Sequence, residues 1–369
     1  MAWTQQQSAA LSAIGAWARQ RGGQQVMKMF GFAGTGKTTL ADSVSKDIDG
    51  TIFCAPTGKA SLVLRKKGCT GAQTIHSTIY KALEDDVTGE VSFKLNPDSP
   101  AAGARLIVVD EASMVDEEIG RDLMSFGTKI LVLGDPAQLP PVRGEGFFTA
   151  GQPDIMLTEI HRQAADNPII RMSMEVREGR GLKPGSYSTS RVISRAEVSR
   201  DEMRSLVMDA DQLLVGMNKT RTTFNTRIRG LRGISDPLPV VGDKLICLKN
   251  NRTKGLLNGG IWTAEGVRVN GKMVSMRVTT TDDPDILTPL DVETPVEFFI
   301  DREKELDWKA RKRIDEFNYG YAITVHKSQG SAWDDVVVFD ESRVFREDAD
   351  KHLYTAVTRA AERVVVVLD

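Results

Sequence analysis

The sequence predicts an α/β protein built from two parallel-sheet domains, with small β insertions. Three observations predict it. Short apolar runs alternate with helical stretches through the first 150 residues, glycine and proline mark the ends of those runs, and a stretch of β-branched character interrupts the later part of the chain. A strand buried on both faces of a parallel sheet reads as a continuous apolar run rather than an alternating one.

The first domain is expected over residues 1–150. Its strands read VMKMF (26–30), TIFCA (51–55), RLIVVD (105–110) and KILVLGD (129–135), with helices opening near Lys37, Lys59 and Glu117. VTGEVSF (87–93) reads as a β-hairpin turning at Thr88 and Gly89, the core of an insertion over about 84–96. The second domain is expected over 151–369, opening near Asp154, resuming after Ile314 and closing with VVVFD and RVVVVLD. In its middle, over about 237–300, the stretches VVGDKLICLKN, GGIWTAEGVRVN and KMVSMRVTTT alternate with Gly, Asn and Asp turns. That pattern predicts a small antiparallel barrel. There is no internal repeat and no low-complexity segment.

Bulk composition narrows the class. The chain has 369 residues, enough for two cores, with 41% hydrophobic and 27% charged side chains. No apolar run approaches the roughly 20 residues of a membrane span. The opening MAWTQQQSAA lacks the basic and apolar parts of a secretion signal, so a cytoplasmic location is expected. Cys54, Cys69 and Cys247 are odd in number and form no CxxC pair, and His76, His161, His326 and His352 show no metal-ligand spacing. With a net charge of -2, any nucleic-acid binding must come from a local groove.

The chemistry begins at GFAGTGKTT, residues 31–39, which fits GxxxxGK[ST] between a strand and a helix. Gly34, Thr35, Gly36, Lys37, Thr38 and Thr39 form the expected nucleotide cradle. Backbone N–H groups close around the phosphates, Lys37 sets a cation against the β and γ oxygens, and Thr38 offers a hydroxyl to Mg²⁺. RLIVVDEAS then brings Asp110 and Glu111 to the end of a buried strand, Asp110 to hold Mg²⁺ and Glu111 to orient and polarise the attacking water. Alone, such an acidic pair is as readily a solvated turn or a helix cap. Beside a phosphate loop, the catalytic reading is favoured.

These residues define a P-loop NTPase, a class that includes kinases, transporters, GTPases and motors. Four more segments follow in order: LVLGDPAQLPPV (131–142), LTEIHRQ (157–163), YAITVHKSQG (321–330) and LYTAVTRA (353–360). Together they resemble motifs III, IV, V and VI of the superfamily 1 helicases, in particular the RecD and Dda type, and the resemblance covers nearly the whole chain. It implies two RecA-like domains that hydrolyse ATP with Mg²⁺ in the cleft between them and move 5′ to 3′ on single-stranded DNA. It implies that Gln138 senses the γ-phosphate and that Arg162 and Arg359 reach it. A fixed guanidinium there can stabilise the transition state by about 10³ to 10⁵ in rate.

The same resemblance extends to smaller segments. WTQQQSAAL is similar to the family's Q motif, which puts Gln7 on the adenine edge, where an amide offers both a donor and an acceptor. The glutamine run leaves that register open by one residue. Gly330 joins the implied nucleotide contacts. CAPTGKAS (54–61) and TIH (74–76) resemble motifs Ia and Ib, implying strand contacts from Thr57, Lys59, Thr74 and His76, with His326, Lys327 and Ser328 as the matching surface of the second domain. The barrel resembles an SH3-like subdomain and the hairpin a strand-separating pin, with Phe93 either covering a base at the fork or turned inward as an anchor. The implied partners are single-stranded DNA, a duplex fork and replication or recombination proteins, with no membrane. Three other readings compete: an RNA-tracking motor of the same superfamily, a P-loop ATPase of another class, and a binding module without catalysis. The last is opposed by the presence of Lys37, Thr38, Asp110, Glu111, Gln138, Arg162 and Arg359 together.

Overall fold

The apolar runs of the first half become the strands of one sheet. These are β1 (Val26–Gly31), β2 (Thr51–Ala55), β3 (Gln73–Thr74), β6 (Leu106–Val109), β7 (Lys129–Gly134) and β8 (Ile155–Leu157), in the order β3-β2-β6-β7-β1-β8. Every neighbouring pair is parallel. All of β6 and β7 except Lys129 is buried, which is why both read as unbroken apolar runs. The computed structural model describes residues 3–84, 91–140, 146–159, 166–251, 253–283, 286–307, 311 and 314–369.

Helices α1 (Gln5–Arg19), α2 (Lys37–Ser45), α3 (Gly58–Lys66), α4 (Ile75–Ile79), α5 (Pro100–Gly103), α6 (Glu117–Met124) and α7 (Pro168–Arg177) accompany this sheet. Ala10, Ile14 and Trp17 of α1 join Leu40 and Val44 of α2 in one core cluster with Leu106, Val108 and Leu131. The chain divides into compact units at Met1–Glu178 and Gly179–Asp369. The division falls later than the expected 150, because the segment read as opening the second domain supplies β8 instead. Its Ile155 and Met156 pair with Met29 and Phe30 of β1.

Between β3 and β6, β4 (Tyr80–Glu84) and β5 (Val91–Leu95) form an antiparallel pair, from Tyr80 opposite Leu95 to Glu84 opposite Val91. The pair starts before the expected 84. Val87 and the turn expected at Thr88 and Gly89 lie outside the described residues.

The second unit carries its own sheet, made of β9 (Gly185–Tyr187), β10 (Ser190–Ser194), β11 (Gln212–Val215), β17 (Ala322–Thr324), β18 (Trp333–Phe339) and β19 (Ala360–Leu368). The order is β17-β11-β18-β19-β10-β9, parallel except for the β9–β10 edge. Helices α8 (Arg200–Asp209), α9 (Asn218–Leu231), α10 (Val325–Ser328) and α11 (Ala349–Val357) complete it. A five-stranded antiparallel sheet of β12 (Lys244–Cys247), β13 (Ile261–Asn270), β14 (Met273–Thr279), β15 (Leu290–Pro295) and β16 (Phe317–Tyr319) interrupts it, in the order β15-β14-β13-β12-β16. This sheet runs past the expected end at 300, because Phe317 and Tyr319 pair with Cys247 and Leu245. Its Leu245, Trp262 and Val274 share one core with Leu213, Phe224 and Val365. No described helix is long and apolar enough to cross a membrane.

Candidate nucleotide and nucleic-acid sites

The phosphate turn is built by glycine where nothing larger fits. A Cβ on Gly31 would lie 2.7 Å from the Thr35 hydroxyl and 2.8 Å from Cβ of Leu157, so β1 enters the turn through a glycine. Gly34 and Gly36 hold φ of 78° and 81°, the left-handed region that glycine enters without penalty. Gly36 caps α2 with no side-chain bond, which leaves first-turn N–H groups for an anion. The Lys37 ammonium donates to the carbonyls of Gly31 (2.6 Å) and Phe32 (3.1 Å) and lies 4.0 Å from Asp135. Thr39 is exposed on the same first turn.

The acidic pair meets this turn directly. Asp110 accepts from the Thr38 hydroxyl at 3.1 Å and from the Glu111 N–H at 2.8 Å, while its own N–H donates to the Cys54 carbonyl. The two residues expected to share Mg²⁺ are therefore in contact. Glu111 sits at φ 54° and ψ 43°, a left-handed conformation that costs a non-glycine residue energy and is commonest at functional sites. At the end of β7, buried Asp135 accepts from the Ala137 N–H, and its carbonyl accepts from the Gln138 N–H. Gln138 Oε1 is buried with no hydrogen-bond donor among the described residues. A buried acceptor left open beside a phosphate turn fits a site completed by nucleotide and its water.

Gln7 is 2% exposed, and both ends of its amide are committed. Its nitrogen donates to the Thr35 carbonyl at 3.0 Å, and its oxygen accepts from the Thr4 N–H in a capping box that opens α1. The neighbouring Gln6 accepts from the N–H groups of Thr158 and Glu159 and donates to the Met156 carbonyl. Gln7 therefore braces the phosphate turn, and its amide keeps a second N–H and a second lone pair beyond these bonds.

The residues expected along a strand divide into accessible and inaccessible groups. Thr57 and Thr74 cap α3 and α4, accepting from the Ala60 and Ser77 N–H groups, and both remain half-buried. His76 packs against Tyr80 at 4.6 Å and meets Phe93 edge-on at 5.6 Å, while Phe93 stays 51% exposed. Phe93 is thus half exposed, with one ring edge packed on His76. Lys59 and Ser328, in contrast, are buried, and Ser328 donates to the Val325 carbonyl. The motif resemblance assigned them by position, but the helices that carry them turn both side chains inward.

In the second unit, the Lys327 ammonium donates to Asn258. Burial lowers its pKa, and the nearby Arg221 charge adds to the effect. His326 is half-buried, and desolvation lowers its pKa against a smaller opposing pull from Asp348. Arg359 is 6% exposed and donates to the carbonyls of Thr355 (3.1 Å) and Ser331 (3.2 Å) and to the Thr358 hydroxyl (3.3 Å). Gly330 lies next to Ser331 at φ 71°. Arg162 lies outside the described residues.

Three residues of evident importance were absent from the sequence reading. Asp135 ends an apolar strand just as Asp110 does, so its signal was available. Asn225 both donates to and accepts from the backbone of Ala322, tying α9 to the strand that leads into Val325–Ser328. Glu341 accepts from Gly216 N–H, Met217 N–H and the Thr220 hydroxyl at the start of α9. Only the fold brings these partners together, since they are about 100 residues or more apart in sequence.

The parallel sheet, the glycine turn and the Asp110–Thr38 contact define a P-loop nucleotide-binding protein. Residues 3–197 match the AAA domain family and residues 319–367 match the UvrD-like helicase C-terminal domain. The chain belongs to the AAA domain family. An ATP-dependent RecD2 DNA helicase of Deinococcus radiodurans is 28% identical over 93% of this chain, and the chain spans 47% of that protein's length. The ATP-dependent DNA helicase Pif1 of Campylobacter jejuni is 25% identical over 69% of this chain and 67% of its own. The solved structure of Bacteroides Pif1 bound to single-stranded DNA shares the fold at a TM-score of 0.57 and 19% identity, covering 99% of this chain and 92% of that one.

Proposed function

We propose that the chain is an ATP-dependent DNA helicase and single-stranded DNA translocase that moves 5′ to 3′. One observation carries the reading: a complete phosphate turn with Asp110 on Thr38 occurs in the same chain as a helicase-type C-terminal segment, residues 319–367, that contains Arg359. Gly34 to Thr39 would hold the triphosphate. Thr38 and Asp110 would hold Mg²⁺, which supplies positive charge to the β and γ oxygens. Glu111 orients and polarises the attacking water, and the open Gln138 oxygen accepts from it. Arg162 and Arg359 are the guanidiniums that stabilise charge on the transferred phosphoryl group.

Thr57, Thr74 and His76 in the first unit, and His326 and Lys327 in the second, would contact the strand. Backbone contacts carry no sequence information, so tracking should be indifferent to sequence. The antiparallel pair of β4 and β5 would act as the pin, presenting Phe93 to the fork. The five-stranded antiparallel sheet is read as an SH3-like insertion. The deciding experiment offers duplexes with a single 5′ or 3′ single-stranded tail. Unwinding from the 5′ tail is expected, and unwinding from the 3′ tail alone would refute the polarity.

A further inference from the structure

The segment that joins β18 to α11 contributes Phe345 to an aromatic cluster in which neither Phe345 nor His352 has a part in the scheme above. His352, in α11, is 1% exposed, and neither of its ring nitrogens has a hydrogen-bond partner among the described residues. Its ring lies against Phe345 with centroids 4.1 Å apart and planes 14° from parallel. Phe345 also meets the His326 ring at 5.4 Å, and the two histidines are 6.0 Å apart. On another side stands Gly216, where a Cβ would fall 3.0 Å from the Phe345 ring and 2.8 Å from Cβ of Glu341. Three separate elements therefore close around one phenyl ring: the turn Val325–Ser328, helix Ala349–Val357 and the end of Gln212–Val215.

Two of those elements hold the groups that the functional reading separates. His326 is on the strand side. The helix carrying His352 runs directly toward Arg359, which bonds back to Thr355 of that helix. The residue after Phe345 is under backbone strain: Arg346 has φ 50° and ψ -110°, a region that L residues avoid and keep only where the surroundings dictate it. A packed ring in such a setting passes on a displacement instead of absorbing it, because well-packed interiors yield little space.

We propose that Phe345 is a positioning residue that couples strand contact at His326 to the helix that presents Arg359, so that nucleic acid accelerates hydrolysis through this ring. The coupling rests on the helicase reading above. His352 takes part through ring contact alone, since no polar bond holds it. A phenyl ring at that position should therefore serve as well.

The test uses the full chain, with oligothymidylate as the nucleic acid. ATP turnover is measured without DNA and across a DNA titration, and DNA affinity is measured separately by fluorescence anisotropy. Phe345→Ala should keep its DNA-free turnover and its KM for ATP, while maximal stimulation falls about tenfold, within the usual range of coupling between sites. Its DNA affinity should change less than about threefold, which separates lost coupling from lost binding. His352→Phe should keep wild-type stimulation. Full stimulation in Phe345→Ala would overturn the proposal, as would a parallel fall in DNA-free turnover, which marks a merely structural role. If the alanine variant does not fold, Phe345→Leu, which keeps apolar bulk without a flat ring, decides in the same way. A wild-type chain that ignores DNA would refute the helicase reading itself. Wild-type stimulation that survives the loss of the ring would refute only the coupling.

Discussion

Glu111 offers a quantitative test, because its backbone and its side chain make separable contributions. At φ 54° and ψ 43° it occupies the left-handed region, which costs an L residue about 1–2 kcal/mol relative to a relaxed conformation. Glycine avoids that cost but loses about 0.5–1 kcal/mol through its freer unfolded chain. Glu111→Gly should thus exceed Glu111→Ala in stability by about 0.75 kcal/mol at the middle of these ranges, since alanine removes the same side chain but keeps the strain. In a unit of this size, Met1–Glu178, that difference corresponds to a melting temperature about 1–4 °C higher. Both variants should lose ATP turnover by orders of magnitude if Glu111 polarises the attacking water. Differential scanning calorimetry, following the transition that shifts on adding nucleotide, reads the first quantity, and a phosphate-release assay reads the second. Equal melting of the two variants would remove the strain from the account. Turnover near wild type in either variant would remove the catalytic role.

Other outcomes follow from the same geometry. Lys37→Ala should abolish hydrolysis with the fold intact, whereas Arg359→Ala should cut turnover while sparing nucleotide binding more; a nucleotide-binding titration beside turnover distinguishes them, and equal loss of binding would exclude the charge-stabilising role. Replacing residues 87–93 with a short Gly-Ser linker should abolish strand separation but leave DNA-stimulated hydrolysis, and a variant that still unwinds a tailed duplex at the normal rate would place the wedge elsewhere. The His352 imidazole is pushed down to about 3, chiefly by burial and secondarily by His326, so below pH 6.5 the unfolded chain binds a proton that the folded one refuses. Stability should therefore fall as pH drops from 6.5 toward 3, by up to about 1.4 kcal/mol per pH unit from this group. His352→Phe should flatten that slope in urea titrations, and an unchanged slope would contradict the assignment.

How much could be read in advance depended on what each segment packs against. Leu106–Val109 and Lys129–Gly134 were legible because central strands of a parallel sheet must be apolar throughout, and the glycine turn was legible because its backbone geometry demands glycine. Ile155–Leu157 was assigned to the wrong domain, since a three-residue edge strand carries no periodicity and its partner lies more than 120 residues earlier. Phe317–Tyr319 was missed as part of the antiparallel sheet for the same reason. At the site, residue types were recognised but their commitments were not. Thr57, Thr74 and Gln7 are occupied by helix caps, and Lys59 and Ser328 face inward, because capping and burial are decided by local geometry that a motif does not record.

The most direct measurement is ATP turnover with no nucleic acid, with single-stranded DNA and with single-stranded RNA, each across a range of salt. If the chain is a DNA motor, single-stranded DNA should raise turnover well above the other two conditions. The DNA concentration needed should climb steeply with salt, because neutralised phosphates release their counterions. Stimulation by RNA alone would make RNA the track. Turnover indifferent to both would contradict the helicase reading and leave a P-loop ATPase of another class.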